Sequence, residues 1–219
     1  MLTSGNGSTA GRVRCQCDYP RSVRHNPSTV VVLAGHPSAG LLGGISRFMN
    51  VSLVRPAGKS EDAASVLRRA AGISSPYVLV AADPLAAVAA EWQSMWEISD
   101  TPRRGEEFEL RAGEVLASWR ARQFELPDYY LVLAEQAPPG SAQRPDFYLG
   151  PLRALRPHRV AVVAASETAE QAAGILTALG SLRHGRWWPP LPEVIDSARG
   201  FYPGSLSPAP AGAPVPLLG

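Results

Sequence analysis

Five short apolar runs recur along the chain, each separated from the next by residues patterned for helix or loop, and this alternation restricts the fold more than any other feature. The runs cover residues 29–34, 51–55, 77–82, 129–134 and 159–164. They are rich in β-branched and aromatic residues and nearly continuous rather than alternating, as expected of strands covered on both faces.

Between them lie amphipathic stripes. Ser60 stands as an N-cap, with Glu61 and Asp62 in the first turn. Ala63, Val66, Leu67, Ala70 and Ala71 then share one face, and Gly72 supplies the stop. Asp83-Pro84 opens a second stripe of Leu85, Val88, Ala89, Trp92 and Trp96. A third, with Phe108, Ala112, Val115, Leu116 and Trp119, predicts a helix over 104–124, one more than a simple crossover needs. A fourth holds Ala172, Ile175, Leu176, Leu179 and Leu182, capped by Ser166 or Thr168. Residues 149–155 carry a shorter pattern broken by Gly150-Pro151, whose form stays open, and a short helix is expected near 193–199.

Strand–helix–strand repetition makes parallel pairing the natural outcome, because each crossover must pack back on the sheet. The expectation is a three-layer Rossmann-like or flavodoxin-like α/β domain over residues 28–202. It has a five-stranded, mainly parallel sheet with helices on both faces. Residues 1–27 read as a polar, flexible leader and 203–219 as a Pro-rich disordered tail.

Composition narrows the partners. With 219 residues, 45% of them hydrophobic and 18% charged, the chain suits a globular protein with a real core. A formal net charge of +2 does not argue for nucleic acid, which calls for a clustered basic face. Lys59 is the single lysine, so amine chemistry is confined to that position. No apolar run approaches the roughly 20 residues of a membrane span. The first residues lack the apolar core of a signal peptide, so a cytoplasmic location is expected. Cys15 and Cys17 are too few for a disulfide framework. With His25 they fall in the leader at the wrong spacing for zinc, and no metal is expected.

The stretch VVVLAGHPSAGLLGG, residues 30–44, is the first candidate site. Gly35 and Gly40 have the spacing of a Walker loop, but Leu41 and Leu42 stand where its Lys and Ser/Thr belong. The dinucleotide fingerprint is matched in part over 38–43, with Ser38 at its first glycine. Gly35, Ser38, Gly40 and Gly43, with Arg55 at the end of the second run, are therefore the candidate ligand-binding residues. Their ligand would be a nucleotide or another phosphate-bearing small molecule. Arg55 with Lys59 suits an anion better than a bare ribose. The competing explanation is that small residues merely let a helix approach a sheet closely.

Ligands of open α/β sheets bind beyond the carboxyl ends of the strands. Those ends carry His36, Arg55, Asp83, Glu135, and Ser166 with Glu167. His36, Asp83 and Glu135 form a candidate catalytic set for a hydrolase or transferase. Each has a plainer role: a carbonyl bond for His36, an N-cap for Asp83, a solvated loop for Glu135. No Gly-x-Ser-x-Gly elbow follows any strand. Residues 183–203 interleave Trp187, Trp188, Phe201 and Tyr202 with Arg183, Arg186 and Arg199. They are expected to close the core, or else to contact a partner. Small-ligand binding at the loop after the first strand is the favoured function. The alternative is a non-catalytic protein–protein interaction module using the 104–124 helix and the aromatic segment. No cofactor is specified by the residues.

Overall fold

The computed structural model describes residues 28–58, 60–96, 101–134, 146–164, 168–182 and 187–201. The strands are β1 Thr29–Ala34, β2 Val51–Val54, β3 Tyr77–Val80, β4 Tyr129–Leu133 and β5 Val160–Val163. All four pairings are parallel, in the order β2-β3-β1-β4-β5. The sheet is thus the centre of a three-layer α/β fold, as the apolar runs require. Its order is neither 3-2-1-4-5 nor 2-1-3-4-5, the two common doubly wound arrangements. Here β3, not β2, lies beside β1.

The alternation of each strand divides the core into two. Val31, Leu33, Leu79, Leu131 and Val163 point to the face covered by α1 (Ala39–Ile45) and α6 (Thr168–Gly180). Val32, Val78, Val80, Tyr130 and Val132 point to the opposite face. That face is covered by α2 (Ala63–Ala70), α3 (Ala86–Ser94), α4 (Thr101–Arg120) and α7 (Leu191–Gly200). A π-helical turn, Tyr148–Leu152, runs into the three-residue α5, Arg153–Leu155, and packs on the same side. This resolves the open form of 149–155: the chain kinks at Gly150, where Pro151 withholds the amide a regular helix needs.

Helix α4 is the extra helix, and it covers α3 rather than an edge of the sheet. Its Phe108 and Ala112 are fully buried. Arg199 of α7 clamps it through Glu109, at 2.6 Å and 2.8 Å. Two caps differ from expectation. Asp62, not Ser60, caps α2, accepting from the Ser65 amide at 2.6 Å. Asp83 does not cap α3, whose N-cap position is Leu85 with no side-chain bond. Leu176 also departs from its stripe, lying 39% exposed on the outer side of α6. The leader, the tail, Lys59 and Ser166 lie outside the described residues. Among the described residues no helix is long and apolar enough to cross a membrane.

Candidate functional site at the carboxyl edge of the sheet

The helix that follows β1, α1, packs on one face of the sheet, whereas the next described elements after β3 and β4, α3 and the π-helical turn, pack on the other. Successive connections diverge on both sides of β1, which is the arrangement that opens a crevice at a topological switch point. The loop from Gly35 to Ser38 follows β1 at that point, with Gly35, His36 and Ser38 exposed.

The glycines of this stretch have different roles. Gly35 has φ +109°, and a Cβ there would sit 3.3 Å from the Leu133 carbonyl oxygen, so both conformation and space demand glycine. A Cβ at Gly40 would meet the Thr168 methyl at 3.4 Å, and one at Gly44 the Ala172 methyl at 3.5 Å. Positions 40 and 44 lie one turn apart on α1, and 168 and 172 one turn apart on α6. The two pairs therefore set the close approach of these helices. Gly43 has nothing within 4 Å of its Cβ position. Gly43→Ala is accordingly expected to stabilise the fold by about 1 kcal/mol in urea denaturation, the usual helix-propensity difference. Ser38 caps α1, its hydroxyl accepting from the Leu41 amide at 3.1 Å. The first backbone bond of α1 runs from the Leu42 amide to the Ser38 carbonyl. Among the described residues the amides of Ala39 and Gly40 have no acceptor within the helix. Leu41 is fully buried, so the Walker lysine position is part of the core.

Asp83 follows the carboxyl end of β3, the strand that pairs with β1. Asp83 is half-buried, and its carboxylate accepts three hydrogen bonds. Tyr148 donates to Oδ2, Tyr130 donates to Oδ1 at 3.4 Å, and the Leu85 amide donates to Oδ1 at 2.9 Å in an Asx turn. Burial pushes its pKa up to about 6 against these three bonds, and no cation is among its partners in the described residues. Burial and the negative charge of Asp83 in turn hold both tyrosines well above the usual phenol range.

The remaining sequence candidates are dispersed. Arg55 is exposed at the end of β2, an edge strand separated from β1 by β3, so about two strand spacings, roughly 10 Å, separate it from the loop. Its carbonyl accepts from Arg69 at 2.6 Å. No hydrogen bond joins His36 to Asp83 among the described residues; Asp83 accepts from Tyr148, Tyr130 and the Leu85 amide instead. Glu135 lies outside the described residues. A shallow depression of about 280 Å³ between α2 and α4, lined by Asp62, Pro84, Glu114 and Phe124, does not reach the loop. Among the described residues no group of three His, Cys, Asp or Glu is placed to hold a metal ion.

The aromatic segment closes the opposite, amino edge. The Trp188 indole donates to the Pro127 carbonyl at 2.8 Å and its ring meets Tyr130 edge-on. Arg159 is buried, its guanidinium lying between the rings of Tyr129 and Trp187. Trp187 keeps 64% of its surface exposed. Asp128 is tied to the Val30 amide at 2.7 Å, yet burial raises its pKa overall. Sequence reading missed Tyr130 and Tyr148 as partners of Asp83. A signal existed for Tyr130: a tyrosine in a strand covered on both faces must find a partner for its hydroxyl.

No protein-family model matches the chain, and no curated protein or solved structure shows significant similarity to it.

Proposed function

We propose that the protein binds a small ligand bearing an anionic group in the crevice beside β1. The observation that carries this reading is the divergence of the connections on either side of β1 over an exposed loop with Gly35 at its start. Such a crevice is where open α/β sheets take their ligands. His36 and the Ser38 hydroxyl border it, and the Ala39 and Gly40 amides supply donors without a side-chain charge. The absence of Lys and Ser/Thr at 41 and 42 disfavours a metal-bound triphosphate and favours a simpler phosphate or carboxylate group.

The test is calorimetric titration of the full chain with inorganic phosphate, pyrophosphate, AMP and NADP. Ala39→Pro removes one donor at the first helical position, where proline is tolerated, and Ser38 already has the extended backbone a following proline needs. Binding by the wild type and at least a tenfold loss in Ala39→Pro, with an unchanged melting temperature, is the expected result. No heat with any of the four at millimolar concentration would defeat the proposal.

A protein-interaction role is supported by a different observation: Trp187 and Leu110 of α4 expose 64% and 59% of their surfaces. Catalysis by His36, Asp83 and Glu135 has weaker support, because Asp83 bonds to tyrosines rather than to His36.

A further inference from the structure

Trp187 is held in place at the amino edge of the sheet while most of its surface stays in solvent. Both its backbone and its ring are fixed. Arg156 donates from Nε to its carbonyl at 2.9 Å. The guanidinium of Arg159, itself buried, lies 4.3 Å from the Trp187 ring centroid and 4.6 Å from that of Tyr129. The next residue, Trp188, is anchored through its indole to the Pro127 carbonyl at 2.8 Å. A rigid aromatic side chain that remains in water has already lost the freedom that binding would otherwise cost it.

We propose that Trp187 is a stacking platform for single-stranded nucleic acid, its exposed face taking a base while Arg156 and Arg153 take the adjoining phosphates. The platform stands at the opposite edge of the sheet from the crevice assigned above to a ligand, and it does not rest on that reading.

The charge around the ring selects the partner. From Phe147 to Ala164 the chain carries Arg153, Arg156 and Arg159 and no carboxylate. The formal net charge of +2 averages this stretch away. Asp128 lies within electrostatic reach of Arg159 and offsets part of its charge, and Glu125 lies within reach of Asp128. Among the described residues the acceptors of Arg156 are two carbonyls, that of Trp187 and that of Leu155 at 2.7 Å, and neither cancels its charge. Arg153 is exposed three positions earlier, in α5. The Arg159 guanidinium stands behind one face of the indole, so the other face is presented with a cation at its back. A flat, negatively charged partner suits that arrangement. A strand of nucleic acid supplies a π face and phosphates together. An acidic peptide supplies only the charge, and an apolar protein surface only the contact area.

Fluorescence anisotropy of a labelled oligothymidylate of about twelve nucleotides, titrated with the full chain, tests this. The wild type is expected to bind at micromolar concentration. It should weaken roughly sevenfold between about 50 and 200 mM salt, as two neutralised phosphates on a single strand require. Trp187→Ala is expected to bind at least about tenfold more weakly, within the range of one stacked base, and Trp187→Phe to keep most of the affinity. Circular dichroism checks that both variants are folded. Arg153→Gln removes one phosphate contact and should halve the slope of log affinity against log salt. Ala39→Pro, which disables the crevice, should bind the oligonucleotide as the wild type does. Absence of binding at about 100 μM protein in low salt, the weak end of non-specific binding, overturns the platform. So does an affinity unchanged in Trp187→Ala. Displacement by polyglutamate as effective as by unlabelled oligothymidylate also overturns it, since the surface would then read the charge of an acidic protein and not a base.

Discussion

Replacing Asp83 by asparagine is expected to make the protein more stable at neutral pH, by up to about 3 kcal/mol. The folded protein holds the Asp83 proton with a pKa of about 6, against 3.8 for the ordinary group. That is about two units, each worth roughly 1.4 kcal/mol. The folded state therefore binds the proton more tightly than the unfolded chain between these two values. Stability from this group is fully present below pH 4, declines as pH rises toward 6, and stays low above it. Asparagine never ionises, so the variant escapes the decline. The gain in urea denaturation should be largest at pH 8 and fall below about 1 kcal/mol at pH 4. Asparagine still offers an acceptor to the Leu85 amide and a donor to a tyrosine oxygen, which keeps the hydrogen-bond loss small. A variant equally or less stable than the wild type at pH 8 would mean that the Asp83 charge is already compensated. A residue that costs stability where an amide would not is a candidate for a functional role, and this is why Asp83 stands out among the carboxylates of the sheet edge.

The layers of this fold were legible because burial on both sides writes itself directly into composition. Each observed strand falls within its apolar run, with ends displaced by at most two residues. Strand order left no such trace, since nothing in a run of valines specifies its neighbour. The cost of that gap falls on Arg55: its place beside the β1 loop depended on β2 adjoining β1, and β3 lies between them. The glycine-rich stretch was ambiguous for a similar reason. A glycine that admits a ligand and a glycine that admits a neighbouring helix look alike in one dimension. Only the facing Thr168 and Ala172 assign Gly40 and Gly44 to packing, while the φ of Gly35 assigns it to the turn. Asp83 was visible as a polar residue at a strand end. Its bond to Tyr148 was not, because that residue lies sixty-five positions away in a turn whose form the Gly-Pro pair obscured.

Trp92→Ala is expected to be the most damaging single substitution on the face that holds Asp83, costing about 3–5 kcal/mol. Three elements meet at this side chain. It projects from α3 and is 1% exposed, and its indole nitrogen donates to the Ala198 carbonyl of α7 at 3.0 Å. Its ring meets Phe147 edge-on at 6.0 Å, just before the π turn, and lies beside Gly150 within that turn. Truncation leaves a cavity among parts that no backbone ladder ties together, and it removes one of two hydrogen bonds to the Ala198 carbonyl, the Phe201 amide keeping the other at 3.2 Å. Native stability of domains this size is only about 5–15 kcal/mol, so the variant should be close to unfolding. Trp92→Phe keeps most of the volume and loses the hydrogen bond, for an expected cost of about 1–3 kcal/mol. Trp187→Ala provides the contrast, since a ring 64% exposed and stacked on one arginine is expected to contribute under about 1.5 kcal/mol. Urea denaturation followed by circular dichroism ranks the three. If Trp92→Ala loses no more than Trp187→Ala, then α7 and the π turn are not anchored through α3. The Tyr148 bond to Asp83 would then need another support.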